Sequence, residues 1–200
     1  MNPFLVLLLL LALSVPTFAT PAHVIVIRHG EKPKDHEAKH LSPAGEQRAE
    51  RLVEFVKSNP ELVRLGAPNV LMAALPTKDG GGQRTGETLA PLSTALKVAV
   101  ETPFESDHSR KLALRLLEEK QYDGKNVLIC WTHEHIPELI EALGIHPAPE
   151  KLGDDVYDLV YVVSYGEKEA TLQTLHQDMP SAAEGKKSKL FHFGKKKAKP

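Results

Sequence analysis

A short run of β-branched residues that ends at an arginine and a histidine most constrains how this chain can fold. Residues 23–27, His-Val-Ile-Val-Ile, have the pattern of a buried strand. Arg28, His29 and Gly30 follow directly, so they are predicted to lie where that strand ends. In an open α/β sheet this end is the usual place of the functional site. The sequence therefore predicts an α/β fold with polar chemistry at the end of its first strand.

Strand and helix signals alternate through the rest of the chain, which indicates one doubly wound domain. The 200 residues are enough for one domain with its own core, and 42% hydrophobic and 26% charged residues are typical of a globular protein. Strands are predicted at 69–73, 97–101 and 125–131, a closing hairpin at 156–164 and 169–175, and helices after the cap Ser42, near Thr85, after a cap at Ser106 or Asp107, and over 137–143.

The residues at the first strand end suit phosphate chemistry. The guanidinium of Arg28 offers a planar fork of donors to phosphate oxygens. Gly30 has no Cβ, so the backbone there can approach an anion closely. The imidazole of His29, placed beside both, can attack phosphorus without a metal. This triplet alone is a weak signal, but its position at a strand end strengthens it.

Two later segments carry matching chemistry. Arg84, in the segment Arg-Thr-Gly-Glu-Thr, precedes a predicted helix, where a cation is disfavoured unless an anion is bound there. His133 follows the predicted strand that ends at Trp131 and Thr132. Together with Arg28 and His29, these side chains predict a site that holds a phosphoryl group from two sides.

Arg-His-Gly at 28–30, Arg-Thr-x-x-Thr at 84–88 and a histidine at a later strand end resemble the motifs of the histidine phosphatase (phosphoglycerate mutase-like) superfamily. The resemblance is to its small, short-insert branch and runs from about residue 23 to about residue 175. It implies a three-layer α/β/α sandwich around a mostly parallel sheet, and a phosphohistidine intermediate. The roles implied are nucleophile for His29 and phosphate binding for Arg28, Gly30, Arg84 and His133.

The general acid that protonates the leaving oxygen is not fixed by a motif. Such an acid is commonly a carboxyl poised near the working pH. Glu105 and Asp107, in the loop after the third predicted strand, are the candidates, although Asp107 is equally well explained as a helix N-cap. Glu31, directly after the Arg-His-Gly triplet, either serves as the acid or pairs with Lys32 or an arginine.

The stretch Trp-Thr-His-Glu-His at 131–135 departs from the superfamily pattern, in which a Gly-His pair precedes small polar residues. His133, directly after the strand, is predicted to face the phosphate in preference to His135. Two imidazoles at i and i+2, joined by His29 or Glu31, are also a pattern for zinc. Alternate residues of an extended segment face apart, however, so no metal is predicted.

The two ends of the chain differ in character from the predicted domain, residues 23–178. Residues 1–22 carry no charge and include a Leu-rich run of signal-peptide length, with cleavage predicted near Ala19; an uncleaved anchor is the alternative. Residues 179–200 form a lysine-rich tail, predicted to be disordered and able to touch anionic surfaces. The body between them is acidic, which argues against nucleic-acid binding.

The sequence thus predicts an exported phosphatase that needs neither metal nor cofactor and acts on small phosphorylated substrates. Mutase activity is disfavoured, because its usual glycolytic substrates are scarce outside the cytoplasm. A phosphate-binding module that has lost turnover is the alternative, and the unsettled acid and the His-Glu-His stretch support it. The sequence does not indicate an oligomeric state.

Overall fold

The structure, a computed structural model, describes residues 20–35, 38–166 and 169–177. The predicted signal segment, apart from residues 20–22, and the predicted basic tail lie outside these residues. The strands of the described chain are β1 (His23–Arg28), β2 (Val70–Ala73), β3 (Val100–Glu101), β4 (Asn126–Trp131), β5 (Leu159–Tyr165) and β6 (Ala170–His176). The α-helices are α1 (Pro43–Ser58), α2 (Pro60–Leu65), α3 (Gln83–Leu96), α4 (Ser109–Glu118) and α5 (Ile136–Ala142), and a 3₁₀ turn covers Lys120–Tyr122.

All of these strands form one mixed sheet in the order β3-β2-β4-β1-β5-β6. The first four of that order run parallel, whereas β5 is antiparallel to β1 and β6 is antiparallel to β5. The carboxyl ends of β1, β2 and β4 therefore meet at one edge of the sheet. Because β5 runs the other way, it begins at that same edge.

Helices cover both faces of the sheet. Val24 and Val26 of β1 pack in one core with side chains from α4 and α5, and Ile25 and Ile27 pack in a second core with side chains from α1, α2 and α3. A strand buried on both faces reads as a continuous apolar run, which is what residues 23–27 show. The predicted three-layer α/β/α sandwich is confirmed.

Helix α1 shows how local signals fix the elements around the site. Ser42 is its N-cap and accepts a hydrogen bond from the Gly45 N–H (3.2 Å), with Pro43 in the first turn, as predicted. Asn59 ends α1 and caps α2, which the sequence did not predict. Ser42 thus fixes where α1 begins beside the end of β1, and Asn59 fixes where α2 begins.

Several predicted boundaries are wrong. The third strand begins at Val100 and not at 97, because Lys97 adopts a left-handed conformation (φ 57°) at the end of α3. Neither Ser106 nor Asp107 caps α4: that helix begins at Ser109 after His108, and no side chain bonds to its first N–H groups. The hairpin begins at Leu159 and not at 156, so residues 156–158 are not part of β5.

None of the helices in the described parts of the chain is both long and apolar enough to cross a membrane.

Candidate active site

The ends of β1 and β4 place the two predicted histidines side by side. Arg28 and Trp131 are neighbours in the register of these parallel strands, and the His29 N–H donates to the Trp131 carbonyl (3.3 Å). His29 thus lies one residue beyond the end of β1, and His133 lies two residues beyond the end of β4. The strand-end argument that grouped His29 with His133 therefore holds in three dimensions.

His29 has the protonation state of a nucleophile. Its side chain is buried, and its Nδ1–H donates to the Gly30 carbonyl (2.7 Å), so the lone pair lies on Nε2. Burial above all lowers the pKa of His29 to about 4; the nearby charges of Arg84 and Arg28 act in the same direction, against the opposing effect of the Gly30 carbonyl. The imidazole is therefore neutral at physiological pH.

Arg28 is held in a fixed orientation, and two of its three guanidinium nitrogens have no hydrogen-bond partner among the described residues. Its Nη1 donates to the carbonyls of Gly153 (2.9 Å) and Val156 (2.8 Å), and its guanidinium carbon lies 3.9 Å from the centre of the Tyr157 ring. Nε and Nη2 are buried, and neither has a hydrogen-bond partner among the described residues. Buried donors rarely stay unpaired, so this geometry suits an anion that completes the site.

Arg84 enters the cluster from the first turn of α3. Its Nη1 donates to the Ala38 carbonyl (2.9 Å), while its Nε is buried and has no partner in the described chain. The charge of Arg84 acts on both His29 and Arg28, which places these three cationic or basic groups together. An anion between them would receive donors from two guanidinium groups and balance their charge.

The threonines that follow Arg84 position it. Thr85 Oγ1 accepts from the Ala74 N–H at the end of β2 (3.0 Å), and Thr88 Oγ1 accepts from the Gly30 N–H at the end of β1 (2.9 Å). Both side chains are buried. The Arg-Thr-x-x-Thr pattern therefore docks α3 on two strand ends, which is a packing role for both threonines.

Gly30 is glycine because of a close approach to α1. A Cβ on Gly30 would lie 2.8 Å from the Gly45 carbonyl oxygen and 3.0 Å from its Cα, and both are backbone atoms. The Gly30 N–H is already bonded to Thr88. The close contact that the sequence attributed to an anion is thus made with the N-terminal turn of α1.

His133 faces the cluster from the β4 side. It is buried, and its Nε2 lies 3.0 Å from Oδ1 of Asp154, so an ionised Asp154 accepts its proton. Burial and the charge of Arg28 lower the pKa of His133, although the Asp154 carboxylate acts the other way. The pKa of Asp154 is lowered in turn by this hydrogen bond and by the charge of Lys32.

The predicted acids take other partners. Glu31 forms a bidentate pair with Arg48, whose Nη2 and Nε lie 2.7 Å and 3.0 Å from its two oxygens. Burial alone would raise the pKa of Glu31, but Arg48 outweighs it and the pKa is lowered. Glu105 and Asp107 group with His108, with their ligand atoms within 4.8 Å of one another. Within the described residues, neither bonds to His29, His133 or the two arginines.

His135 contacts the first residue of α4 through its backbone. It is half-buried, it directly precedes α5, and its carbonyl accepts from Ser109 Oγ (3.3 Å). Over the described ranges, the one set of side chains grouped closely enough for a metal is Glu105, Asp107 and His108, which does not include His133 or His135. The zinc pattern in the sequence is thus not assembled.

Residues Gly153–Tyr157 form a segment over the site that the sequence analysis missed. We call this segment the strap. It supplies two carbonyls and an aromatic ring to Arg28 and a carboxylate to His133. The predicted closing hairpin could have indicated the strap. An antiparallel strand that closes the sheet must begin at the edge where the parallel strands end, so the residues before it lie at the site.

Solved structures with this fold include several phosphatases. The alpha-ribazole phosphatase from Shigella flexneri is 14% identical, with a TM-score of 0.54, over 77% of this chain and 96% of that chain. A phosphoserine phosphatase from Entamoeba histolytica, in complex with 3-phosphoglyceric acid, is 15% identical, with a TM-score of 0.53, over 77% and 96%. A mycobacterial glucosyl-3-phosphoglycerate phosphatase in complex with VO3 is 15% identical, with a TM-score of 0.54, over 78% and 98%.

No family model matches the sequence, and no curated protein matches it. The structural likeness covers most of the chain and nearly the whole of each phosphatase. The predicted resemblance to the histidine phosphatase superfamily is therefore confirmed as a shared fold, and identities of 14–15% leave the activity to be argued from the site.

Proposed function

We propose that the chain is a phosphomonoesterase that transfers the phosphoryl group of a small phosphorylated substrate to His29 and then to water. The observation that carries this proposal is the state of His29. Its Nδ1–H is bonded to a carbonyl, its Nε2 is neutral, and two arginines with unpaired buried donors lie beside it. That is the arrangement an in-line attack on a phosphate dianion needs.

The reaction consists of two displacements. In the first, the Nε2 lone pair of His29 forms a bond to phosphorus while the bond from phosphorus to the substrate oxygen breaks. Nε and Nη2 of Arg28 and Nε of Arg84 donate to the non-bridging oxygens and offset their charge. In the second, water attacks the phosphohistidine and gives a proton to the carboxylate that served as the acid in the first step. The N–P bond breaks, and orthophosphate leaves with His29 neutral again.

We assign the leaving-group proton to the loop that holds Glu105 and Asp107. This loop is tied to the end of β4, since the Trp131 Nε1–H donates to the Ser106 carbonyl (3.0 Å) and Ser109 Oγ donates to the His135 carbonyl. The two carboxyls thus lie on a loop that contacts the strand leading into His133.

Hydrolysis of 4-nitrophenyl phosphate tests the function. We expect turnover by the wild-type protein, loss of turnover in His29→Ala, and near wild-type turnover in His135→Ala, which removes a neighbouring imidazole outside the cluster. Circular dichroism establishes that each variant is folded. A folded His29→Ala protein with wild-type rates would refute the mechanism, and a wild-type protein that binds orthophosphate without any turnover would favour the binding-module alternative.

Comparison of aryl and alkyl phosphates tests the acid. A nitrophenolate leaves without a proton, whereas a sugar alkoxide does not, so loss of the acid should reduce only alkyl phosphate hydrolysis, by about 10²–10⁴-fold. We expect this selective loss in Glu105→Gln or in Asp107→Asn. Equal losses on both substrates in both variants would mean that the acid is another residue.

Export is a further part of this proposal. The apolar segment that ends near Ala19 has the length of a signal peptide, and the lysine-rich tail would follow the domain in the exported protein. Mass spectrometry of the amino terminus after expression in cells tests cleavage; an intact first residue would favour the anchor.

The complex of the Entamoeba enzyme with 3-phosphoglyceric acid supports a small phosphorylated substrate for the proposed reaction.

A further inference from the structure

We propose that Asp154 is a built-in competitor of the phosphate: its carboxylate binds His133 in place of a phosphate oxygen, and a substrate must displace it. This inference rests on the proposed function. It makes Asp154, a residue outside every predicted motif, a determinant of how tightly the site binds phosphate.

The first support is the contact itself. Asp154 Oδ1 lies 3.0 Å from Nε2 of His133, at the position where an oxygen of a bound phosphate would accept the same proton. The His133 side chain is only 10% exposed, whereas the Asp154 side chain is 76% exposed. The histidine is thus fixed in the site, and the carboxylate reaches it from solvent.

The second support is the segment that carries Asp154. Within the strap, the carbonyls of Gly153 and Val156 bind one nitrogen of Arg28 and leave the other two unpaired within the described structure. The strap therefore holds Arg28 ready for an anion while its own carboxylate occupies His133. A phosphate dianion on Arg28 would repel that carboxylate.

The third support is an alternative partner for the displaced group. Lys32 is close enough for its charge to act on Asp154, and it lies on the chain just beyond Gly30. A carboxylate that leaves His133 therefore still has a cation nearby, and its side chain is exposed enough to turn towards it.

The consequence is a weakened affinity for phosphate. The apparent dissociation constant equals the intrinsic constant divided by the fraction of molecules in which Asp154 has left His133. For an exposed contact of this kind we expect an effect of about three- to tenfold, which salt would reduce. Weak binding of orthophosphate favours product release, since each turnover leaves orthophosphate in the site.

Inhibition of 4-nitrophenyl phosphate hydrolysis by orthophosphate tests the inference. In Asp154→Ala we expect the orthophosphate inhibition constant and the KM to fall about three- to tenfold, with kcat reduced by no more than about twofold. Asp155→Ala is the matched control: Asp155 also acts on Arg28 through its charge but has no hydrogen bond to His133. Its constants should stay within about twofold of wild type.

Unchanged constants in a folded Asp154→Ala protein, or equal changes in the two variants, would overturn the inference. A fall of about 10²-fold in alkyl phosphate hydrolysis with unchanged aryl phosphate hydrolysis would also overturn it, because Asp154 would then be the general acid. Neither result bears on phosphoryl transfer to His29, which is tested separately by the turnover of the wild-type and His29→Ala proteins; the second result would replace only the assignment of the acid to Glu105 or Asp107.

Discussion

At the scale of single residues, one short hydrogen bond and burial together decide the chemistry of His29. The Gly30 carbonyl can only accept, so it fixes the proton on Nδ1, and burial prevents a second proton from binding at Nε2. A solvated imidazole would be partly protonated below neutral pH and would then have no lone pair for phosphorus. His29 stays neutral in that pH range because its pKa is lowered, so it keeps the lone pair on Nε2.

We therefore predict that His29 in the free protein titrates with a midpoint near pH 4. Because its pKa is lowered, the neutral imidazole persists as the pH falls and is lost only as the pH passes through about 4. The Cε1–H resonance of the imidazole, followed by NMR and assigned by its absence in His29→Ala, measures this midpoint. A midpoint near the ordinary value of about 6.5 would contradict it.

Glu31 illustrates a carboxylate that the structure uses for stability. Its pair with Arg48 is largely shielded, with 23% and 10% of the two side chains exposed. We predict that Glu31→Gln lowers the free energy of unfolding by about 2 kcal/mol at pH 7, as for a charged hydrogen bond. Since the pKa of Glu31 is lowered in the folded state, this difference is fully present above its ordinary pKa and is lost as the pH falls through the lowered folded-state pKa.

Urea unfolding at pH 7 and pH 3 measures the effect of Glu31→Gln. The control is Glu61→Gln, which breaks the exposed pair with Arg64 and should cost less than about 0.5 kcal/mol. A general acid at position 31 would instead show a selective loss of alkyl phosphate hydrolysis with little change in stability.

At the scale of elements, the site depends on how closely α1 and α3 pack on the strand ends. The backbones of Gly30 and Gly45 are in close contact, and Thr88 of α3 accepts a hydrogen bond from the Gly30 N–H. The first turns of both helices are thus set against β1 within hydrogen-bonding or van der Waals distance. Any added atom at Gly30 must move a helix.

We predict that Gly30→Ala lowers the free energy of unfolding by about 1–3 kcal/mol, because its Cβ meets the backbone of Gly45. Gly86→Ala is the matched control: it lies within α3, has no atom within 4 Å of its added Cβ, and should raise stability by about 0.5–1 kcal/mol. Urea unfolding curves measure both. Equal effects of the two substitutions would mean that the Gly30 contact is relieved at no cost.

At the scale of the whole molecule, the side chains of the candidate site all lie at one edge of the sheet. The carboxyl ends of β1 and β4 bring His29 and His133, and α3 brings Arg84. The strap, which precedes the antiparallel β5, covers Arg28. Positive charge, a neutral imidazole and buried donors that have no partner among the described residues all lie at this edge. In the proposed reaction, these groups supply the nucleophile and the charge balance.

We predict that hydrolysis of 4-nitrophenyl phosphate survives prolonged treatment with a chelator and is inhibited by orthovanadate. Histidine and arginine supply the nucleophile and the charge balance, and vanadate adopts the trigonal-bipyramidal geometry of in-line transfer. Initial rates with and without each reagent measure this. Loss of activity on chelation that zinc restores would point to a metal, with the group at Glu105, Asp107 and His108 the first to test.

Much of this site could be predicted from the sequence, and the reason lies in parallel strands. A β-branched run buried on both faces marks a central strand, and the polar residues after it must lie at the carboxyl edge. The same argument applied to 125–131 places His133 at that edge. Local signals alone therefore grouped His29 with His133 and set Arg84 at the start of α3.

The tertiary structure alone decided which partners these residues take. The Asp154–His133 and Arg28–Gly153 contacts join residues 21 and 125 positions apart, and the Gly30–Gly45 approach depends on how α1 settles against β1. Composition and periodicity state which face of an element is buried, but not which atoms meet across it. Register and packing fix those distances, because a shift of one residue or one ångström would exchange one partner for another.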